Sequence, residues 1–169
     1  DTRTRTAAQV AEYIESVGGS FHPVAGNNSV GFGIEVLPTD IQRAYSILEE
    51  ASRFPVFKRQ TFEIEREAHI SGLQQDDDDV VTLAQKHLRQ RFFGSHPLAW
   101  DAHGNIEGVK SLRPQDLMAL HRKLLVGDNV VVAVAGDFDL RRLVPKMKMF
   151  LSKLPRGRAE WPAKTSFPL

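Results

Sequence analysis

Asn129 to Ala135 reads NVVVAVA, a continuous run of apolar and mostly β-branched residues. Such a run marks a strand covered on both faces, where a half-exposed strand would alternate. A strand of that kind needs neighbours, and this limits the folds open to the chain. The sequence offers few of them. Val30, Phe32, Ile34 and Val36 alternate with Gly31, Gly33 and Glu35, a half-buried strand. Phe21 to Val24 reads as its partner across a Gly26-Asn27-Asn28 turn. Gly31 and Gly33 weaken the second strand and mark a place where another backbone is expected to come close. Three strands fall short of the about five or six of an ordinary sheet. Further strands are therefore expected before Asp1 or after Leu169.

The remainder is helical. Thr6-Ala7-Ala8-Gln9 is a capping box, opening a helix with Val10, Tyr13, Ile14 and Val17 on one side and Gly18-Gly19 at its end. Thr39-Asp40-Ile41-Gln42 repeats the pattern before a stripe of Ile41, Ala44, Tyr45, Leu48 and Ala51. Phe54 to Gln75 is an apolar plug, FPVF, followed by a carboxylate-rich helix with Phe62, Ile70 and Leu73 inward. Asp76 to Asp79 lacks the Gly and distal Glu of a calcium loop, so it is read as the capped start of another helix. The stripe expected to bury that helix is Val80, Leu83, Ala84, Leu88 and Phe92, closed by Gly94. Ser95 to Lys110 reads as a loop. Pro114 suits the first turn of a helix carrying Leu117, Leu120 and Leu124. A last helix carries Leu140, Leu143, Val144, Met147 and Phe150, with Pro145 expected to kink it. The division expected is one domain over 1–155 and a Pro- and Gly-bearing linker over 156–169.

Several functions are excluded by composition. Lys plus Arg is 22 against 21 Asp plus Glu, a net charge of +1, which gives no case for nucleic acid or an anionic membrane. No apolar run approaches the roughly 18 residues of a membrane span. The 169 residues contain no Cys, which removes disulfides, thiolate metal sites and a Cys nucleophile. No signal peptide is visible. No G-x-S-x-G elbow, P-loop or G-x-G-x-x-G after a strand occurs. His22, His69, His87, His96, His103 and His121 are scattered over helices and loops and read as surface or packing residues. Glu65 and His69 stand four apart and share a helix face. Two donors do not make a zinc site, which needs four ligands when closed and three plus water when catalytic.

The ordered pieces resemble a known family. They are TRTRT (Thr2 to Thr6), IESVGGSF (Ile14 to Phe21), FPVF then FEIER (Phe62 to Arg66), LAQKHLRQRFFGSHP (Leu83 to Pro97), GVKSLRPQDLMALH (Gly108 to His121), and VVVAVAGDFD (Val130 to Asp139) followed by LSKLP. In this order they resemble the insulinase/pitrilysin family of zinc metallopeptidases. The resemblance implies an α+β unit, a two-layer mixed sheet covered by helices, used in pairs or fours as a chamber around a peptide. It also implies an inverted H-x-x-E-H zinc motif that would fall before Asp1, and none occurs in this chain. The family's third metal ligand is a Glu seven residues beyond the Glu of its Glu-Arg pair. Here that pair is Glu65-Arg66, and the ligand position holds Gly72, with Ser71 and Leu73 unable to replace it.

The resemblance thus implies a degenerate, non-catalytic unit with no catalytic or metal-binding residue of its own. Zinc belongs to a homologous catalytic domain, in the same chain or in a partner subunit. Extended peptide is the expected second partner, added at a sheet edge along Ser29, Val30, Phe32 and Ile34. The alternatives are an active zinc endopeptidase whose H-x-x-E-H lies upstream, and a purely structural core-type subunit.

Overall fold

A computed structural model describes residues 1–26 and 28–158. In chain order the elements are α1 (Ala7–Glu15), β1 (Ser20–Ala25), β2 (Val30–Glu35), α2 (Ile41–Arg53), α3 (Arg59–Asp78), α4 (Val80–Phe93), α5 (Ile106–Ser111), α6 (Pro114–Leu124) and α7 (Leu140–Ser152). The class is α+β, as the resemblance implied. Among the described residues the sheet is one antiparallel pair, with Ser20 opposite Glu35 and Ala25 opposite Val30.

Local chemistry sets several element ends. Thr6 Oγ1 accepts from the Gln9 amide, and Gln9 returns the contact to the Thr6 amide, so the capping box before α1 is formed. The second expected box is not: Asp40 precedes α2 without a side-chain cap, because a 3-10 turn at Pro38–Asp40 already leads the backbone into the helix. Gly19 lies where α1 hands over to β1. A Cβ there would come 2.6 Å from the Glu35 carbonyl oxygen and 3.0 Å from Ile14 and Val36, so only glycine lets helix and hairpin approach this closely.

Two apolar clusters hold the unit. Val10, Ile14 and Ile47 form the first, with Tyr13, Ile34 and Val36 against it. Tyr45, Phe150 and Leu154 form the second, with Leu48, Val130, Val132 and Met147 around it. α2 serves both, and its buried Ile47 lies off the stripe expected from the sequence. Adjacent carboxylates on α2 reach opposite ends of the chain. Glu50 accepts from Thr2, Thr4 and Arg5, while Glu49 takes Arg53 at 2.6 Å and Lys153 at 2.7 Å. Burial pushes the Glu50 carboxyl up, but the Thr4, Arg5 and Thr2 donors outweigh it and hold the group below the usual range. The Lys153 contact, against burial, lowers Glu49 as well, helped by Arg53.

Four expectations are corrected. Val130 to Ala135 enters no ladder among the described residues, and Val131 is 91% exposed. The apolar run supplies strand propensity, but a strand exists only with a hydrogen-bonded neighbour. α4 buries none of its residues, and Val80 and Phe92 stand 78% and 68% exposed; among the described residues its main packing partners are α3 and the Pro97–Ala99 turn, too little to cover a helix of this length. Asp76 to Asp78 form the last turn of α3, and Asp79 alone caps α4, accepting from the Thr82 amide. Within the expected loop, Asn105 accepts from the Gly108 amide and starts α5. α7 is helical on both sides of Pro145. Of the expected linker, residues 159–169 lie outside the described residues.

Candidate functional site

α3 is fixed at its start by the plug before it. The Arg3 amide donates to the Phe54 carbonyl at 2.9 Å, and the Val56 amide to the Asp1 carbonyl at 3.0 Å. The Arg3 and Arg53 guanidinium groups lie 4.8 and 4.7 Å from the centre of the Phe54 ring, a cation–π clamp. Phe57 meets the His121 ring edge-on at 6.2 Å. Burial in that packing lowers the His121 pKa, with Arg122 adding to the effect and a Ser52 backbone contact opposing it. The plug is thus held between the first residues and α6, which sets where α3 can run.

From there α3 presents Glu65, His69, Gly72 and Asp76 along one face, the helical spacing of four, three and four. These residues line a cavity of about 520 Å³ whose apolar floor includes Phe62, Leu73, Leu112 and Leu117. His69 Nε2 lies 2.9 Å from the His103 carbonyl oxygen, and the two rings are 6.3 Å apart. Arg66 closes one wall, stacked on Phe62, bonded to Glu63 at 2.7 Å and donating to the Leu112 carbonyl. At the far end Lys86 meets Asp77 at 3.0 Å, Asp76 at 3.7 Å and Asp101 at 3.9 Å. Burial opposes the Lys86 charge, but Asp77, Asp76 and Asp101 prevail and raise its pKa. That lysine offsets the like charges gathered at the α3 C-terminus, where the helix dipole disfavours them.

Gly72 is open: a Cβ at this position meets nothing within 4 Å. Of the other donors on its face, His69 is engaged with His103, Asp76 faces Lys86, and Glu65 interacts electrostatically with the Asp1 amino group. Among the described residues no three His, Cys, Asp or Glu side chains converge as metal ligands do. A zinc site needs at least three such donors, so the donor set of α3 does not fit a zinc centre. The juxtaposition of His69 with His103 was not legible in the sequence, because the two meet through tertiary packing.

The other candidate site is the edge of β2. Its ladder with β1 leaves the opposite edge unpaired among the described residues. Val30 is 64% exposed, Phe32 stacks on Phe21 at 5.2 Å, and Ile34 leans on the first core. Ser29 is exposed beside the turn. Among the described residues no backbone sits over the glycines as expected; Gly31 faces open space, and a Cβ on Gly33 would strike the His22 ring.

A family model described as insulinase (peptidase family M16) matches residues 1–103, and one described as the peptidase M16 inactive domain matches residues 111–168. An uncharacterized zinc protease of Mycobacterium leprae is 27% identical over 98% of this chain and 37% of its own length. A non-peptidase homolog, YmxG, of Helicobacter pylori is 25% identical over 94% of this chain and 37% of its own. The crystal structure of a peptidase M16 inactive domain from Pseudomonas fluorescens superposes with a TM-score of 0.86 at 21% identity, covering 95% of this chain and 40% of that one. The chain therefore spans little more than a third of the length of these curated relatives.

Proposed function

This chain belongs to the insulinase family, peptidase family M16, and from that premise we propose that it is a non-catalytic unit forming one wall of a peptide-holding chamber. The carrying observation is Gly72, an open position on α3 where the family resemblance calls for a metal-binding Glu. The match of residues 111–168 to the inactive-domain description supports the same reading. Catalysis then belongs to a homologous domain, in the same chain or in a partner subunit, and that domain carries the zinc. The working unit is taken as 1–155, with 156–169 leading to the next.

This chain's own residues would hold substrate. A peptide adding along β2 would place its backbone against the free edge from Ser29 to Ile34. Main-chain hydrogen bonds would supply affinity, and alternate side chains of the peptide would lie beside Val30, Phe32 and Ile34, which share one side of the pleat. Gly31, with open space above it, leaves room for a bulky substrate side chain.

Elemental analysis after chelator-free purification tests the first part. The expected content is well below one zinc per chain, and one tightly held zinc per chain overturns the reading. Turnover of an unstructured peptide that survives repurification and stops with chelator overturns it as well. For the β2 edge, titration with the same peptide should shift backbone signals of Ser29 to Glu35. Shifts confined to other residues remove β2 from the role.

A further inference from the structure

We infer that the outward face of α7 is a docking surface for an anionic lipid membrane, on which the unit lies without crossing the bilayer. The inference rests on the placement of charge and is independent of the peptide-holding role of β2.

The net charge of +1 conceals a division. Residues 1–79 hold fourteen Asp or Glu against seven Lys or Arg, and residues 80–169 hold seven against fifteen. The cations are densest over residues 140–158, with seven Lys or Arg and no Asp or Glu. α7 sorts them by face. Leu143 and Phe150 are buried. Arg141, Pro145, Lys148 and Ser152 recur at spacings of four, three and four on the opposite side, and all four are exposed. The tail adds to this charge. The Gly127 amide donates to the Pro155 carbonyl at 2.9 Å and the Asp128 amide to the Gly157 carbonyl at 3.3 Å, which holds the exposed Arg156 and Arg158 just beyond the helix. Arg142 meets Asp139 at 3.5 Å and Lys153 meets Glu49 at 2.7 Å. Among the described residues no carboxylate forms an ion pair with Arg141, Lys148, Arg156 or Arg158.

The mixture of side chains decides the occupant. An apolar face such as that of α4 can be covered by more protein at no electrostatic cost. Unpaired cations cannot leave water unless anions meet them, so this face calls for an anionic partner wherever it is covered. Leu140, Val144, Met149 and Leu151 stand exposed among the cations. Nucleic acid answers the cations alone. A folded acidic protein needs a groove shaped to a convex helix. An anionic bilayer answers both kinds of side chain on a flat surface, with phosphates for Arg and Lys and hydrocarbon within reach of the apolar groups.

Vesicles of phosphatidylcholine with about one-third phosphatidylglycerol, sedimented with the 169-residue chain, test this. The chain should pellet with them at low salt, stay in solution with phosphatidylcholine alone, and be released at high salt. Arg141→Gln combined with Lys148→Gln should weaken binding about twentyfold, at about fivefold per cation. Arg89→Gln combined with Arg91→Gln takes the same charge from exposed positions on α4 and should change binding by less than about twofold. Neither pair touches an ion pair of the fold, and circular dichroism should show unchanged helix in both. Absence of pelleting with the anionic vesicles overturns the inference, as do equal losses for the two double variants. So does tighter binding to polyglutamate or to single-stranded DNA than to the vesicles, which would make an acidic protein or a nucleic acid the occupant.

Discussion

β2 and the run from Val130 to Ala135 make an instructive pair. By composition the later run is the better strand: it is β-branched, uncharged and free of glycine, whereas β2 carries Gly31 and Gly33. Yet β2 is the one in a ladder. β2 follows β1 across a short turn, so pairing costs little chain entropy. The later run has no such neighbour, and among the described residues it remains extended and unpaired. Each segment leans on its own apolar cluster, β2 on Ile14 and Ile47 and the run on Phe150 and Tyr45. Intrinsic preference therefore decides conformation here, but adjacency decides which segment becomes sheet.

The largest test removes those supports in turn. Phe150→Ala should cost about 3–5 kcal/mol and Ile14→Ala about 2–5 kcal/mol in denaturant unfolding, since both side chains are fully buried. Methyl chemical shifts should separate them: the first variant should move the signals of Val130 and Val132, and the second that of Ile34 on β2. A loss below about 1 kcal/mol for Phe150→Ala would mean that the run has no seat.

Gly19→Ala comes next. Its Cβ meets the Glu35 carbonyl at 2.6 Å, so β2 must shift, at about 1–3 kcal/mol. Thermal unfolding of the variant at wild-type temperature would show that the hairpin moves freely against α1.

A smaller effect concerns acid. The Glu50 carboxyl is held low by Thr4, Arg5 and Thr2 against its burial. A group depressed in the folded state adds stability above its unfolded pKa, about 4.3 for glutamate. That contribution drains as pH falls through the lower folded value. Urea midpoints for the wild type should therefore drop in this acid window, and Glu50→Gln should flatten the drop while lowering the midpoint at neutral pH. Parallel pH profiles for the two proteins would remove Glu50 from the account.

The smallest change sharpens the contrast itself. Gly31→Val places a β-branched side chain in open space on β2 and should gain roughly 0.5–1 kcal/mol. Val131→Thr, on the unpaired run, should change stability by less than about 0.5 kcal/mol in this chain. An equal response at both positions would mean that the ladder makes no difference.

The sequence showed what is local and missed what depends on cover. The capping box at Thr6 and Gly94 ending α4 follow from neighbouring residues, and both formed, while of the run Asp76 to Asp79 expected to start α4 only Asp79 does so. The stripe on α4 and the run at Val130 were expected to be buried. Their patterns say that a face asks for a partner, and nothing within the pattern says where the partner lies. The candidate site divides the same way. Gly72 could be placed by counting from Glu65-Arg66, while the Arg66 contact to the Leu112 carbonyl and that of His69 to His103 join segments far apart in the chain.

Tyr45 and Ile47 sit two positions apart on α2, too close in sequence to share a side of the helix, and each is the buried centre of a different cluster. α2 is thus a common beam, with no stretch of it belonging to one cluster alone. Neither cluster can open as a separate foldon without stripping one flank of the helix that the other needs. Thermal melts followed by backbone and by aromatic signals should therefore coincide in one cooperative transition, and paired truncations of Phe150 and Ile14, although they touch different clusters, should not simply add.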